Sequence, residues 1–213
     1  FTLMFLTLWN YIKSQKEDYC KYYTKTTIKS KDGYIQPYND TPLDKEATGE
    51  IIYMNMISRA KNFVYITTPY LIVDNEMLTT ICNVAKSGVD VRIIVPGIPD
   101  KKIVNELTKS YYKPLIESGV HIFEYVPGFI HAKTVIVDGE YATVGTVNFD
   151  YRSLYLHFEC GVWMYQTKCI QEIKRDFLET ELKSCEVTLN DCNQIHLLRK
   201  IFRAVLRIFA PLL

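Results

Sequence analysis

The pattern of hydrophobic and polar positions changes period repeatedly along the middle of the chain. Short runs of apolar, β-branched residues alternate there with segments whose apolar residues recur at helical spacing. Because strands joined through a helix pair in parallel, this alternation predicts an α/β domain in which helices cover a mixed, largely parallel sheet in an α-β-α arrangement. The predicted strands are residues 62–67, 89–95 and 120–125, and the predicted helices are residues 50–60, 75–86 and 100–118.

A hairpin follows this alternating region. Two apolar runs, residues 129–137 and 141–147, flank the pair Asp138-Gly139. An Asp-Gly pair between such runs is the strongest short-range signal for a tight turn between antiparallel strands. A further strand over residues 158–165 and a helix over residues 168–182 complete the predicted domain.

The two ends of the chain have a different character. Residues 1–23 are spaced as an amphipathic helix, and residues 29–48 are rich in turn-forming residues, with one short strand predicted over 34–37. Residues 195–209 place apolar side chains on one helical face and basic side chains mostly on the other. The opening apolar run is too short to span a membrane.

Composition and charge narrow the class of protein. With 48% hydrophobic residues and a net charge of +1 over 213 residues, the chain is neither disordered nor of low complexity. Residues 193–213 hold four basic and no acidic residues, which leaves 21 basic and 24 acidic residues, a charge of −3, for the rest. An acidic body argues against a broad nucleic-acid groove. Six cysteines without a C-x-x-C pair indicate free thiols in a reducing compartment.

The hairpin region carries a chemical motif. His131 and Lys133 are two positions apart, so on a strand their side chains leave the same face. An isolated histidine is most simply a surface or core residue, but the fixed spacing of the residues that follow outweighs that interpretation. The pattern resembles the HxKxxxxD signature of the phospholipase D superfamily with its trailing G-S/T-x-N. In this chain it is His131-x-Lys133-x4-Asp138-x6-Gly145-Thr146-x-Asn148.

The resemblance extends to the second half of bacterial cardiolipin synthases, over approximately residues 34–185. It rests on short segments that include Thr68-Pro69-Tyr70, Asp150-x-Arg152-Ser153 and Phe158-Glu159. The resemblance implies a phospholipase D-like fold and a phosphatidyltransferase that forms cardiolipin from two phosphatidylglycerol molecules. It also implies that one histidine attacks phosphorus, that a second protonates the leaving alcohol, and that no metal or other cofactor takes part.

Residue chemistry agrees with these roles. A phosphodiester is negatively charged, so its attack needs a cation at the phosphate and a nucleophile that leaves readily afterwards, for which Lys133 and His131 are suited. A nucleophilic imidazole needs an acceptor at its other nitrogen. We expect Glu159 to be that acceptor, although a solvated strand edge is the simpler alternative. The resemblance further implies that Thr146 and Asn148 bind the phosphate.

Strand parity sets Asp138 apart from the other motif residues. On a regular strand, a residue seven positions from His131 points to the opposite face, at the mouth of the turn. Asp138 belongs to the catalytic signature, but we expect it to hold the turn or a neighbouring basic side chain rather than the phosphate.

The superfamily site needs two such motifs, and this sequence contains one His-x-Lys. Since the first residue is Phe and not Met, we expect the second motif upstream in the same chain; pairing of two copies is the alternative. Residues 1–28 resemble the closing helix and linker of a preceding half. Residues 29–190 are then one catalytic half, and residues 191–213 a basic amphipathic helix at an anionic membrane surface, on the cytoplasmic face of the cell membrane.

Two other functions remain open from sequence. A phospholipase D-like phosphodiesterase or nuclease acting as a homodimer would share His131 and Lys133. A catalytically inactive lipid-binding or assembly half is disfavoured by the intact motif residues.

Overall fold

The computed structural model describes residues 1–14, 16–22, 32–43 and 45–212. These residues form two units, Phe1–Asp32 and Gly33–Leu213. The predicted boundary between residues 28 and 29 lies outside the described residues, so the predicted division of the chain stays a prediction.

The first unit contains one α-helix and one short 3₁₀ turn. Helix α1 (Thr2–Lys13) stops at Ser14, whose left-handed φ of 50° ends the helical path, and the turn Tyr19–Tyr22 follows. The helix is therefore shorter than the predicted 1–23, and residue 23 lies outside the described residues.

The second unit carries the rest of the regular structure, and its elements alternate between strands and helices. In chain order they are β1 (Tyr34–Asp40), α2 (Thr48–Ser58), β2 (Phe63–Thr67), β3 (Leu71–Ile72), α3 (Asn75–Lys86), β4 (Asp90–Pro96), α4 (Lys102–Ser110), α5 (Tyr112–Glu117), β5 (His121–Tyr125), β6 (Thr134–Val137), β7 (Tyr141–Gly145), β8 (Phe149–Asp150), α6 (Tyr151–Tyr155), β9 (Glu159–Tyr165), α7 (Cys169–Glu181), β10 (Ser184–Val187), α8 (Leu189–Asn193), α9 (Leu197–Ile208) and a final 3₁₀ turn (Ala210–Leu212).

The described strands build an eight-stranded sheet in the order β1-β9-β7-β6-β2-β4-β5-β10, with β3 and β8 as a separate pair. Alternate residues of the central strands face opposite layers of the core. Val64 and Ile66 of β2 pack with α2, α3 and α5, whereas Tyr65 packs with Phe177 of α7 on the other face. The α/β class with an α-β-α arrangement is therefore confirmed.

Strand directions differ from the expected largely parallel sheet. Of the seven neighbouring pairs among the described strands of the main sheet, β2/β4 and β4/β5 are parallel and the others are antiparallel. The physical reason is the length of the connections. Helical crossovers through α3 and through α4–α5 return the chain in the same direction, whereas the hairpin between β6 and β7 reverses it.

Two elements that contain a proline differ from expectation. The helix predicted over 100–118 is broken between α4 and α5, since the ring of Pro114 has no N–H and clashes with the carbonyl four residues earlier, at Ser110. The strand predicted over 34–37 runs on to Asp40 as β1. It tolerates Pro37 because it lies at the edge of the sheet.

The C-terminal helix lies on the domain with its basic side inward. Arg199 and Arg203 of α9 both bind the carboxylate of Glu106 on α4, and the guanidinium of Arg207 lies 4.5 Å from the ring centre of Tyr111. Arg203 is buried in this contact, whereas Arg199 and Arg207 remain exposed, so the role of the basic face at anionic lipid stays a prediction. Among the described residues, no helix has the length and apolarity needed to cross a membrane.

The hairpin forms at the predicted Asp-Gly pair. Asp138 and Gly139 have φ of 54° and 71°, the left-handed values that such a turn requires. The Asp138 carboxylate accepts hydrogen bonds from the backbone N–H groups of Lys61, Asn62 and Phe63 at 2.8–2.9 Å. These contacts agree with the structural role expected from strand parity, because they join the turn to the start of β2.

Replacing Asp138 with Ala should therefore destabilise the fold. The change removes three hydrogen bonds to a charged acceptor, and we expect the free energy of unfolding to fall by about 2–4 kcal/mol. Asp138→Asn, which keeps one acceptor oxygen, should lose about half as much. Urea unfolding measures both, with exposed Glu140→Ala in the same turn as the control. A stability unchanged in Asp138→Ala would contradict this role.

Candidate active site

The two central motif residues lie on an extended segment just before β6. The strand was predicted from residue 129 but begins at Thr134, so His131 and Lys133 precede the regular ladder. His131 is exposed, whereas Lys133 is only 8% exposed. The segment therefore presents an accessible imidazole beside a buried ammonium group.

The Lys133 side chain is held by its own segment and by nearby carboxylates. Its Nζ donates a hydrogen bond to the backbone carbonyl of His131 at 2.6 Å. Burial lowers the pKa of Lys133, and the negative charges of Glu159 and Asp150 act against that shift. The cation thus sits among counter-charges while its carbonyl contact fixes its position next to the imidazole.

The His131 ring lies among aromatic neighbours. Its centre is 5.3 Å from the ring of Phe129 and 6.5 Å from that of Tyr70, which meets it edge-on. Partial burial, followed by the charge of Lys133, lowers the pKa of His131, and Asp100 opposes the shift. Because a lowered pKa favours the unprotonated ring, His131 has a free nitrogen lone pair near neutral pH.

Glu159 lies at the start of β9, close to Lys133 rather than bonded to His131. Its side chain is 9% exposed, and its Oε1 is 3.8 Å from Nδ1 of His157. Within the described ranges no hydrogen bond joins Glu159 to His131. The structure supports a charge interaction with Lys133, and the acceptor role toward His131 stays a prediction.

Thr146 follows β7, at a point where the backbones of β7 and β9 approach closely. A Cβ added at Gly145 would lie 2.4 Å from the carbonyl oxygen of Cys160 on β9, which explains the glycine at this motif position. The Thr146 hydroxyl accepts a hydrogen bond from the Cys160 N–H at 2.9 Å and donates one to the Cys160 carbonyl at 3.2 Å. Thr146 therefore fixes the end of β7 against β9, and its phosphate contact stays a prediction.

Asn148 is oriented by a residue that motif spacing did not single out. Its Nδ2 donates to the hydroxyl of Ser153 at 2.7 Å, and the Ser153 N–H donates to Asp150 Oδ1 at 2.8 Å. Asn148 Oδ1 is buried and has no hydrogen-bond partner among the described residues. An unpaired buried amide oxygen is costly, so a donor supplied by a ligand would fit here.

The helix α6 that carries Ser153 is anchored by Tyr155. The Tyr155 hydroxyl lies 2.7 Å from Glu50 Oε1 on α2 and 2.6 Å from Asp74 Oδ2. Burial raises the pKa of Glu50 to about 7, so this carboxyl can retain a proton near neutral pH. The contact ties α6 to two core elements.

A cavity of about 100 Å³ opens beside these residues. It brings together residues from separate elements, because the pairs Leu71↔Phe149 and Ile72↔Asp150 join β3 to β8. Several of the residues that line this cavity belong to segments that resemble the family, but their spacing in the sequence did not predict that they would lie together. Its lining is Tyr70, Ile72, Lys101, Val104, Asn148, Asp150, Arg152, Ser153 and His157.

Asp138 does not take part in this arrangement. It lies beyond the far end of β6, where Val137 pairs with Val64, whereas Thr134, nearest the motif histidine, pairs with Thr67. Seven residues of extended chain correspond to about 20 Å. The site is thus built from His131, Lys133, Asn148 and the residues around the cavity, without this carboxylate.

Residues 53–180 match the family model described as "Cardiolipin synthase, PLD-like domain", which is more than half of the chain. The chain belongs to this family. A cardiolipin synthase of Geobacillus kaustophilus is 36% identical over 99% of this chain, and one of Listeria welshimeri is 44% identical over 76%. These matches cover 42% and 33% of the two relatives. The chain therefore spans less than half the length of the curated cardiolipin synthases that it matches.

Solved structures agree with the fold of the family. A phosphatidylserine synthase of Haemophilus influenzae superposes with a TM-score of 0.64 at 17% identity, covering 84% of this chain and 45% of its own. Nuc of Salmonella typhimurium, a phospholipase D family member, gives 0.62 at 16% identity, covering 74% of this chain and 99% of its own. At such identity the likeness concerns the phospholipase D-like fold alone.

The electrostatics of the His131–Lys133 pair can be tested by NMR. We expect His131 to titrate below its ordinary pKa of about 6.5. Lys133→Met should move the pKa of His131 upward by removing a nearby cation, and Asp100→Asn should move it downward by removing an anion. The ring-proton shifts of His131 across the pH range measure both. Shifts in the same direction would contradict the arrangement.

Proposed function

We propose that the protein is a phosphatidyltransferase that forms cardiolipin from two phosphatidylglycerol molecules. The observation that carries this proposal is the exposed His131 with a lowered pKa beside the buried Lys133 cation. Family membership supports the choice of reaction. The chain would supply one of the two His-x-Lys motifs of the complete site, at the cytoplasmic face of the cell membrane.

In the first step, a nitrogen of neutral His131 attacks the phosphorus of one phosphatidylglycerol. The bond from phosphorus to the headgroup oxygen breaks, and glycerol leaves with a proton from the histidine of the complementing motif. In the second step, the headgroup hydroxyl of another phosphatidylglycerol gives its proton to that histidine and attacks the phosphohistidine. Cardiolipin forms and His131 is regenerated.

The surrounding residues would stabilise these steps. Lys133 places a positive charge where negative charge develops on the phosphate. A headgroup hydroxyl would donate a hydrogen bond to Asn148 Oδ1, which has no partner among the described residues. The exposed cavity residue Arg152 brings a second positive charge to the phosphate. Glu159 and Asp150 offset the charge of Lys133, so the ammonium group can remain charged while buried.

Substitution of the full-length protein tests the assignment. His131→Ala should reduce cardiolipin formation from labelled phosphatidylglycerol to background, and Lys133→Met should reduce it by about 10²–10³-fold. His121→Ala is the matched control, because this exposed histidine at the start of β5 pairs with Glu186 of the edge strand β10, away from the motif segment that precedes β6. Full activity of His131→Ala would exclude it as the nucleophile, and phosphatidic acid as the product would favour a hydrolase.

The requirement for a second motif gives a separate prediction. A purified chain of residues 1–213 should form no cardiolipin from phosphatidylglycerol vesicles, because it contains one His-x-Lys. Activity should appear when the polypeptide that carries the complementing motif is added. Robust turnover by this chain alone at nanomolar concentration, as a dimer, would instead support a site formed by two copies.

A further inference from the structure

The C-terminal helix α9 presents large apolar side chains to the outside of its unit. Seven of them are each between 46% and 75% exposed. Half-exposed side chains of this size and number present on the order of 600 Å², at the upper end of the range for the largest apolar patch of a monomer. We call this surface the outer face of α9, and it consists of Leu197, Leu198, Ile201, Phe202, Val205, Ile208 and the C-cap residue Phe209.

Helical geometry shows that this face is continuous. Successive residues of an α-helix are about 100° apart, so the seven side chains fall within an arc of about 140°. Arg199, Arg203 and Arg207 fall on the opposite side of the helix, and this is the side in contact with the domain. The outer face therefore points directly away from the domain.

An ionic cluster holds the helix in this orientation. Nε of Arg199 donates to Glu106 Oε2 at 3.0 Å, Nε of Arg203 donates to the same oxygen at 2.8 Å, and a further nitrogen of Arg199 contacts Glu106 Oε1. The bonds from these arginines lower the pKa of Glu106 to about 2. Arg203 is 8% exposed. Rotating α9 to bury its apolar side would carry both arginines away from Glu106, whose side chain is only 17% exposed, and would leave this carboxylate without its counter-charges at a free-energy cost.

The chemistry of the outer face favours lipid as its partner. Residues 193–213 contain no Asp or Glu, so nothing in this segment repels an anionic membrane. The proposed substrate carries acyl chains that remain in the bilayer while its headgroup reacts. Helix α4 links the two regions, because its Val104 lines the cavity and its Glu106 binds α9. A helix seated on α4 would hold the site near the headgroups.

We propose that the outer face of α9 lies in the membrane interface, with its seven apolar side chains among the acyl chains. Apolar faces of such helices enter about 5–10 Å into the bilayer. Binding then depends on hydrophobic burial, while the arginines serve to orient the helix. This inference rests on the proposed function, because only a lipid substrate requires a membrane-bound site.

Vesicle sedimentation of the full-length protein tests the proposal. Removing two large apolar groups with Ile201→Gln plus Phe202→Gln leaves the net charge unchanged and should weaken binding to phosphatidylcholine vesicles by about tenfold or more. Leu182→Gln is the matched control, because Leu182 is exposed at the end of a different helix, α7. Circular dichroism establishes that each variant is folded.

The salt dependence of vesicle binding distinguishes hydrophobic burial from charge attraction. Binding to vesicles of phosphatidylcholine mixed with phosphatidylglycerol should change less than about twofold up to about 1 M NaCl, where the Debye length is only about 3 Å. Loss of binding at high salt would overturn the proposal, as would unchanged binding of the double variant. A dimer that the double variant converts to monomer, with vesicle binding intact, would assign the face to a second copy and overturn it as well.

Activity in detergent micelles distinguishes this inference from the proposed function. The double variant should keep its turnover on detergent-dispersed phosphatidylglycerol while losing vesicle binding. His131→Ala should show the reverse, with normal vesicle binding and no turnover. If the double variant binds vesicles normally while His131→Ala remains inactive, the membrane role of α9 is overturned and the proposed reaction stands.

Discussion

The candidate site depends on keeping one buried ammonium group charged. Lys133 is 8% exposed, and a cation removed from water must find opposite charge and hydrogen-bond acceptors. The carbonyl of His131 supplies the acceptor, and Glu159 and Asp150 supply negative charge from β9 and β8. The same cation lowers the pKa of His131, so one charge both stabilises a phosphate and keeps the nucleophile unprotonated.

This requirement explains the structure around the site. Asp150 reaches the cavity because the pairing of β3 with β8 places it beside Ile72, and the Ser153 N–H then holds its carboxylate. Glu159 reaches Lys133 because β9 lies next to β7, where Gly145 lets the two strands approach closely. Each counter-charge is therefore positioned by backbone pairing.

Charge pairing also decides the orientation of α9. In the sequence, the four basic residues of the C-terminal segment appear free to meet an anionic surface. In the structure, Glu106 of α4 holds two of the arginines, and Tyr111 stacks with a third. Because these cations are paired within the domain, the amphipathic helix lies with its arginines toward the domain and its apolar side outward. The periodicity of the sequence identified the apolar and basic faces of α9 correctly, but it could not predict which face contacts the domain.

The sequence by itself determined the local structure: the order of the major strands and helices, the hairpin at Asp138-Gly139, and the spacing that brings His131 next to Lys133. These depend on turn chemistry and residue periodicity over short distances. Only the tertiary structure decided the directions of the strands, the contact of Asp138 with the start of β2, and the meeting of Tyr70, Asn148 and Ser153 at one cavity. Such contacts join residues far apart in the chain, where strand pairing and the balance of buried charge outweigh local pattern.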